Sequence, residues 1–335
     1  MCADSPATVP PAPAAAAPPA PGTPTAGPAS ATPAAPAPSA APAGEDRLVA
    51  AYRAYLTGHP DPPGGTLLGQ TTAMGPVRQA VVPLIPLRAG WRVLDLGTGF
   101  GPLAFELAHR QPVQVTAVDR DPGVLAAARE IAGVLGGWLA DGSSVELVEG
   151  SAEALPIDDA SVDLVTASLL FQHVAGPARV AGEMWRVLAP GGVAFAFDVD
   201  DGLGASYPDN GPLARLDAAF AEWQGSYGGD RRIGRKLSVL FADQGFAIAR
   251  VYALPQAQHV TTRPGDPTRV ATAARLRAAR QGIVGGGILD GQTFDGLLDQ
   301  YERAPARSMC QIETRIAVVA VKPAGPDHRV PPPAQ

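Results

Sequence analysis

Three groups of residues have the types and spacing to hold a small charged ligand. Residues 93–101 read V-L-D-L-G-T-G-F-G: an apolar pair, then Asp95, then Gly97, Gly99 and Gly101 at alternate positions around Thr98. Pro102 follows, at a place where a first-turn amide needs no helical partner. Strand, glycine turn and helix N-terminus in that order let a backbone approach a nucleotide-like ligand closely. A second strand-like run ends at Asp119, where an acid able to accept from both hydroxyls of a ribose is expected.

The dinucleotide version of this turn is G-x-G-x-x-G, aimed at a pyrophosphate. Here the third glycine comes one residue early, and Asp95 sits two residues before the first. A carboxylate there repels a pyrophosphate and suits an ammonium group. That chemistry points to S-adenosyl-L-methionine, which carries an amino-acid tail and a sulfonium in place of phosphates. The residues immediately after the second strand, D-R-D-P, start the next helix with Asp121 as its cap and Pro122 in its first turn.

Four blocks in order extend the pattern: V-L-D-L-G-T-G-F-G, then V-D-R-D-P, then E-G-S-A-E-A-L-P-I-D-D-A-S-V-D-L-V over 149–165, and R-V-L-A-P-G-G over 186–192. With these the chain resembles the class I S-adenosylmethionine-dependent methyltransferases. The resemblance is to the small-molecule branch that includes ubiquinone/menaquinone methyltransferases and natural-product O-methyltransferases. It implies a doubly wound, seven-stranded Rossmann-like α/β sheet, S-adenosyl-L-methionine as cofactor and S-adenosyl-L-homocysteine as product. It places Asp95, Gly97, Thr98, Gly99 and Gly101 at the methionine end, Asp119 on the ribose and Arg120 beside the adenine. The third block often reads G-D-A-E in that family, with the aspartate on the adenine amine. Here Ser151, Ala152 and Glu153 stand in that block, so a neutral hydroxyl replaces the acid.

Ser168 ends the fourth expected strand, where open α/β sheets bind ligands. The N/D-P-P-Y-type motif of adenine and glutamine methyltransferases is missing there. The segment F-Q-H-V over 171–174 matches one that often reads L-H-H-V in small-molecule relatives. His173 is therefore the expected general base, because an imidazole can take a proton at working pH. Asp198, at the end of the fifth strand, resembles an acid that assists such a histidine. The alternative is that His173 merely caps the following helix and Asp198 bonds only to nearby backbone. Tyr207, Trp223 and Tyr227 are candidate pocket walls, His59 and His259 weaker catalytic candidates. Arg231, Arg232, Arg235 and Lys236 form a cluster able to meet an anion or to lie on a solvated face.

The elements that must position these groups follow from periodicity. Strands are expected at 91–96, 113–119, 144–149, 162–168 and 192–198, with helices at 102–110, 122–140 and 177–189 between them. Helices at 45–56 and 71–87 precede the first strand, separated by a glycine- and proline-rich loop. After residue 200, helices are expected at 212–224 and 233–244 and strands at 246–254 and 312–321. Two helices, 267–280 and 294–303, fill an insertion before the last strand that is far longer than a hairpin loop requires.

The domain plan is a proline- and alanine-rich tail over 1–44, expected to be disordered. A methyltransferase domain spans 45–323: N-terminal helices 45–88, a cofactor core 89–200, a substrate and lid region 201–311 and a last strand 312–321. A frayed tail covers 324–335.

Net charge is −6 over 335 residues, which argues against a nucleic-acid partner. The two cysteines, Cys2 and Cys310, offer neither a disulfide framework nor metal-ligand spacing, so no metal is expected. No apolar run spans a bilayer and no signal peptide is legible, so the expectation is a cytoplasmic protein without a membrane partner, with a homodimer allowed for. The expected activity is methylation of a small organic acceptor, oxygen ahead of nitrogen and carbon, in bacterial secondary metabolism. N- or C-methylation of a quinone-like molecule and cofactor binding without transfer are the alternatives.

Overall fold

The computed structural model describes residues 47–325 apart from positions 61, 136 and 210. The expected tail over 1–44 lies outside the described residues, as do the first two residues of the N-terminal helix and most of the C-terminal tail.

Helix α1 (Arg47–Gly58) forms because Leu48, Ala51, Tyr52 and Tyr55 make one buried stripe. The loop expected up to residue 70 is instead interrupted by α2 (Gly65–Ala73), with α3 (Gly75–Val81) directly behind it. Gly64 sits at φ +64°, and a Cβ there would come within 3.2 Å of Val124 Cγ2. Gly64 thus serves close approach, while Gly65 and Gly69 lie within α2 and do not break it.

The sheet is built from β1 (Arg92–Leu96), β2 (Gln114–Asp119), β3 (Ser144–Glu149), β4 (Val162–Ser168) and β5 (Leu188–Val199). Helices α4 (Pro102–Arg110), α5 (Pro122–Leu135) and α6 (Pro177–Val187) alternate with the strands. Apolar residues run continuously along these strands and split by parity. Leu94, Leu96, Val165, Ala167, Ala194 and Ala196 pack with α6, while Val93, Leu164, Phe195 and Phe197 pack with α3 and α4. Both faces are therefore covered, as a parallel sheet requires. β5 starts earlier than expected, and a bulge at residues 189–192 shifts its register between Leu188 and Val193.

After β5 come the three-residue strand β6 (Ala205–Tyr207), α7 (Pro212–Ser226), α8 (Leu237–Asp243), β7 (Ala247–Thr262), α9 (Pro267–Gly285), α10 (Gly291–Arg303) and β8 (Arg307–Val321). The order across the sheet is β3-β2-β1-β4-β5-β8-β6, with β7 along the other edge of β8. There are eight strands among the described residues where seven were expected, and β6 is the addition. β7 and β8 are longer than expected because they pair with each other from Ala247↔Val321 to Thr262↔Arg307. β5 covers β8 only from Arg315 onward, so the outer half of this ribbon runs beyond the carboxyl end of β5 as an arm of about 25 Å.

The arm ends in α9 and α10, which close a second core with α7 around Leu213, Leu216, Leu276, Ile283, Phe294 and Leu298. Gly282 of α9 lies against Trp223 of α7: a Cβ there would stand 2.0 Å from the indole Nε1. The ring is boxed by Phe220 and Tyr227, at 5.6 and 5.2 Å between centroids, and cannot step aside. Gly282→Ala should cost about 1–3 kcal/mol by overpacking. Thermal unfolding checks this: a melting temperature equal to wild type would mean that the two helices are not packed as described.

Candidate active site

Asp95 lies at the base of the site. It is 2% exposed, and the parallel register of β1 and β4 places it beside Thr166. Thr166 Oγ1 donates to Asp95 Oδ1 and Thr98 Oγ1 to Oδ2, each at 2.7 Å. Burial pushes the Asp95 carboxyl up to about 6 against the pull of these two hydroxyls, and the charge of Asp119 adds to the rise. Both oxygens of the carboxylate expected to face an ammonium group are thus already held by hydroxyls, and Asp95 fixes the turn through Thr98.

The turn itself is tied down by Thr98 N–H donating to Val118 O at 3.0 Å and Gly101 N–H to Thr98 O at 2.9 Å. Gly97, Gly99 and Gly101 all have positive φ, which glycine adopts without strain. Their surroundings differ. A Cβ on Gly97 would meet Leu170 Cδ1 at 2.7 Å and one on Gly101 would meet Phe105 at 2.6 Å, but one on Gly99 would find only Leu67 Cδ2, at 3.8 Å. Gly97 and Gly101 serve packing, and Gly99 presents bare backbone to open space. Helix α1 reaches the same turn, where the buried Tyr52 hydroxyl donates to Phe100 O at 3.1 Å.

Asp119, half-buried at the end of β2, accepts from Gly99 N–H at 2.8 Å and from Asp121 N–H at 3.0 Å. It links the glycine turn to the start of α5, whose first amides, Gly123 N–H and Val124 N–H, donate to Asp121 Oδ1. Arg120 is exposed beside it. The third block lies next to this pair, because Gly150 N–H donates to Asp119 O at 2.9 Å. Ser151 Oγ accepts from Glu153 N–H at 3.2 Å, and Ala152 is half-buried between them. Glu153 turns away: it accepts from Gly176 N–H at the start of α6 and pairs with Arg179 at 3.5 Å. A carboxylate there complements the helix dipole.

Ser168 ends β4, followed by Leu169 at φ +56° and by Leu170 against Gly97. His173 comes next, in a 3₁₀ turn from Phe171 to His173. Its side chain is solvent-accessible, with protein packed around part of the ring. That partial burial lowers its pKa, and the charges of Arg231 and Arg120 add to the effect. Arg120, just after β2, is therefore close enough for its charge to act on His173.

The expected pairing of His173 with Asp198 is not made. Asp198 is fully buried, and its oxygens accept from Gln172 N–H at 3.2 Å and Val199 N–H at 2.8 Å. Burial raises its carboxyl to about 7, against the pull of these amides and of Arg231. The imidazole instead meets Gln224 of α7, whose Nε2 lies 3.3 Å from Nδ1.

The basic cluster is largely neutralised within the protein. Arg231 makes a bidentate pair with Asp201, Arg235 one with the buried Asp200, and Lys236 pairs with Asp230. His59 stacks on Tyr55 and reaches Glu130 at 3.4 Å, and His259 is exposed opposite Cys310 on the ribbon, so neither joins the site. Tyr207 is 80% exposed on β6. Two surface hollows, one beside Leu107 and Arg110 and one beside Arg92 and Gln114, sit away from all these groups.

Sequence reasoning missed Tyr52, Thr166, Gln172 and Gln224. Only Thr166 left a signal, as a polar residue near the end of the β4 apolar run, where it pairs with Asp95 in the register of β1 and β4.

Residues 94–196 match a family model described as a methyltransferase domain. The chain is 40% identical to the demethylmenaquinone methyltransferase of Thermus thermophilus over 116 residues, which are 34% of this chain and 50% of that protein. It is 31% identical to the ubiquinone/menaquinone biosynthesis C-methyltransferase UbiE of Brucella anthropi over 173 residues, 51% of this chain and 60% of that protein. Over residues 94–196 this is a methyltransferase domain, similar to the class I S-adenosylmethionine-dependent enzymes. The chain spans about half the length of the curated relatives it matches. The fold also recurs in the YcgJ protein of Bacillus subtilis, at 20% identity and a TM-score of 0.50 over 74% of this chain and 98% of that one.

The cofactor of the methyltransferase domain is S-adenosyl-L-methionine, and the residues present fit it: a bare Gly99 backbone, an acid at the end of β2 and a neutral hydroxyl in the third block. Among the described residues no group of three His, Cys, Asp or Glu is placed to hold a metal, and no helix is long and apolar enough to cross a membrane.

Proposed function

We propose that the chain transfers a methyl group from S-adenosylmethionine to a small phenol- or enol-type acceptor, held between the carboxyl ends of β1, β2 and β4 and the α7, α9 and α10 cluster acting as a lid. One observation carries the acceptor class: the site lacks an assembled base. Asp198 is spent on backbone amides, and His173 Nδ1 meets the carboxamide of Gln224 in place of a carboxylate that would stabilise an imidazolium. Such a site suits an acceptor that ionises with little help. A phenol does so near pH 10, as in tyrosine, against about 16 for water.

The cofactor supplies a methyl group already activated by the sulfonium. This chain's residues then have to align the acceptor and keep water out. Asp95 holds the turn, Asp119 and Arg120 border the nucleoside side, and His173 faces the acceptor side.

The anion of a phenol or enol is nucleophilic at oxygen and at the conjugated carbon. O-methylation is the outcome expected from sequence. Carbon is supported by the relatives named for menaquinone and for C-methyl transfer, whose activities belong to those proteins. The two are separated by incubating the purified chain and S-adenosylmethionine with a panel of hydroquinones, naphthols and aliphatic alcohols, and locating the new methyl by mass and NMR spectra. Phenolic acceptors should turn over and aliphatic alcohols should not. Turnover of the alcohols alone would refute the acceptor class, and binding of NADH in place of S-adenosylmethionine would refute the methyl-transfer reading.

A further inference from the structure

Gln224 is 3% exposed in the last turn of α7. Its Nε2 lies 3.1 Å from Gln172 O and 3.3 Å from His173 Nδ1, while its Oε1 is buried with no hydrogen-bond partner. Gln172 O can only accept, so the carboxamide must present nitrogen on that side. A flipped amide would set oxygen against oxygen. With Nε2 so oriented, its second hydrogen points at Nδ1, and Nδ1 must then carry a lone pair. A neutral imidazole in that position holds its proton on Nε2.

The charged groups around the ring act in the same sense. Arg231, from the segment after α7, and Arg120, from the turn after β2, both oppose an imidazolium. The acids nearby are committed elsewhere, Asp201 to Arg231 and Asp230 to Lys236. Gln172 is held from three sides: Gln224 and Asp230 N–H donate to its carbonyl, and Arg231 Nη1 donates to its Oε1. The carbonyl that orients Gln224 is thus itself fixed.

We propose that Gln224 is a positioning residue that locks His173 as a neutral Nε2–H hydrogen-bond donor, and that this donor holds the anionic oxygen of the acceptor and does not remove its proton. The donor role rests on the methyl-transfer reading. The tautomer lock stands without it. The assignment reverses the role expected for His173 from sequence, and it makes α7 part of the acceptor site.

The test is nitrogen NMR of the full chain with labelled histidine, assigning His173 by its loss in His173→Asn. In the wild type, Nδ1 should resonate as the unprotonated nitrogen and Nε2 as the protonated one across pH 6–8. Gln224→Glu, an isosteric change that turns the donor into an acceptor, should move the proton to Nδ1 and raise the His173 titration by about a pH unit or more. Gln224→Met, which offers neither, should give mixed tautomers and guards against a misfolded glutamate variant. A wild-type His173 protonated on Nδ1, or a tautomer identical in all three proteins, would overturn the lock. With a phenolic acceptor, Gln224→Glu should raise KM about tenfold with S-adenosylmethionine affinity unchanged. A switched tautomer with an unchanged KM would overturn the donor role. A locked tautomer in a chain that methylates nothing would leave the lock intact and remove the methyl-transfer reading.

Discussion

Asp119→Ala should weaken S-adenosylmethionine binding about a hundredfold or more. Two losses combine. In the present structure the carboxylate ties Gly99 N–H and Asp121 N–H together, so its removal frees both the glycine turn and the entry to α5. The same carboxylate is the group expected on the ribose, and hydrogen bonds to a charged acceptor contribute about 1.5–3 kcal/mol each. Losing about 3 kcal/mol corresponds to roughly a hundredfold in affinity. Asp119→Asn keeps one accepting oxygen and should fall between wild type and alanine. Calorimetric titration of the three proteins with S-adenosylmethionine and S-adenosylhomocysteine measures this directly. An alanine variant with wild-type affinity would mean that the ribose is held elsewhere.

Asp198→Asn should flatten the dependence of stability on pH. The carboxyl is raised to about 7 by burial, well above its value in an unfolded chain. The folded protein therefore holds a proton that the unfolded chain has released between about pH 4 and 7. The sign follows: stability from this group is complete below about pH 4 and is lost as pH rises through 7. At pH 8 the buried charge costs roughly 2–4 kcal/mol, taking 1.36 kcal/mol per pH unit. Asp95, raised to about 6, acts in the same direction over a narrower window. Asparagine removes the charge but leaves one of the two backbone amides with a poorer partner, a cost of about 1–3 kcal/mol at every pH. The diagnostic quantity is therefore the slope and not the offset. From pH 5 to 8 melting temperatures should fall less for the variant, which keeps only the fall due to Asp95 up to about pH 6 and is nearly level above it, and parallel curves would refute the buried, proton-holding Asp198.

The parts of this molecule that were legible in sequence are those specified over short distances. Strand, glycine turn and helix at 93–110 are fixed by neighbouring residues, and β1, β2, β3 and β4 fall where their apolar runs put them. Helix α2 was hidden because its glycines and the prolines before it look like a loop, whereas Gly64 is small so that α2 can approach Val124 and Phe100. The outer halves of β7 and β8 were hidden for another reason. They are only partly buried and are held by pairing with each other and with β6, which leaves little apolar alternation to read.

In the site, the cradle was legible and the acceptor side was not. Asp95, Gly99 and Asp119 converge as their spacing implied. Gln224 meets His173 across 51 positions, through an orientation set by the carbonyl of Gln172, and no local pattern carries that contact. Asp198 was given a partner because of its place at a strand end. Backbone amides claimed it first, as burial demands of an acid with no solvent.

The ribbon formed by β7 and β8 has an evolutionary consequence. The chain leaves it at Thr262 and re-enters at Arg307, and these two residues face each other at the outer end of the ladder. To the sheet, segment 263–306 is one loop, however much structure it carries, and lengthening a loop costs little once its ends are fixed. It is therefore an exchangeable cassette. The segment can be replaced without disturbing Asp95, Gly99 or Asp119, provided each replacement covers Leu213, Leu216 and Ala219 on α7.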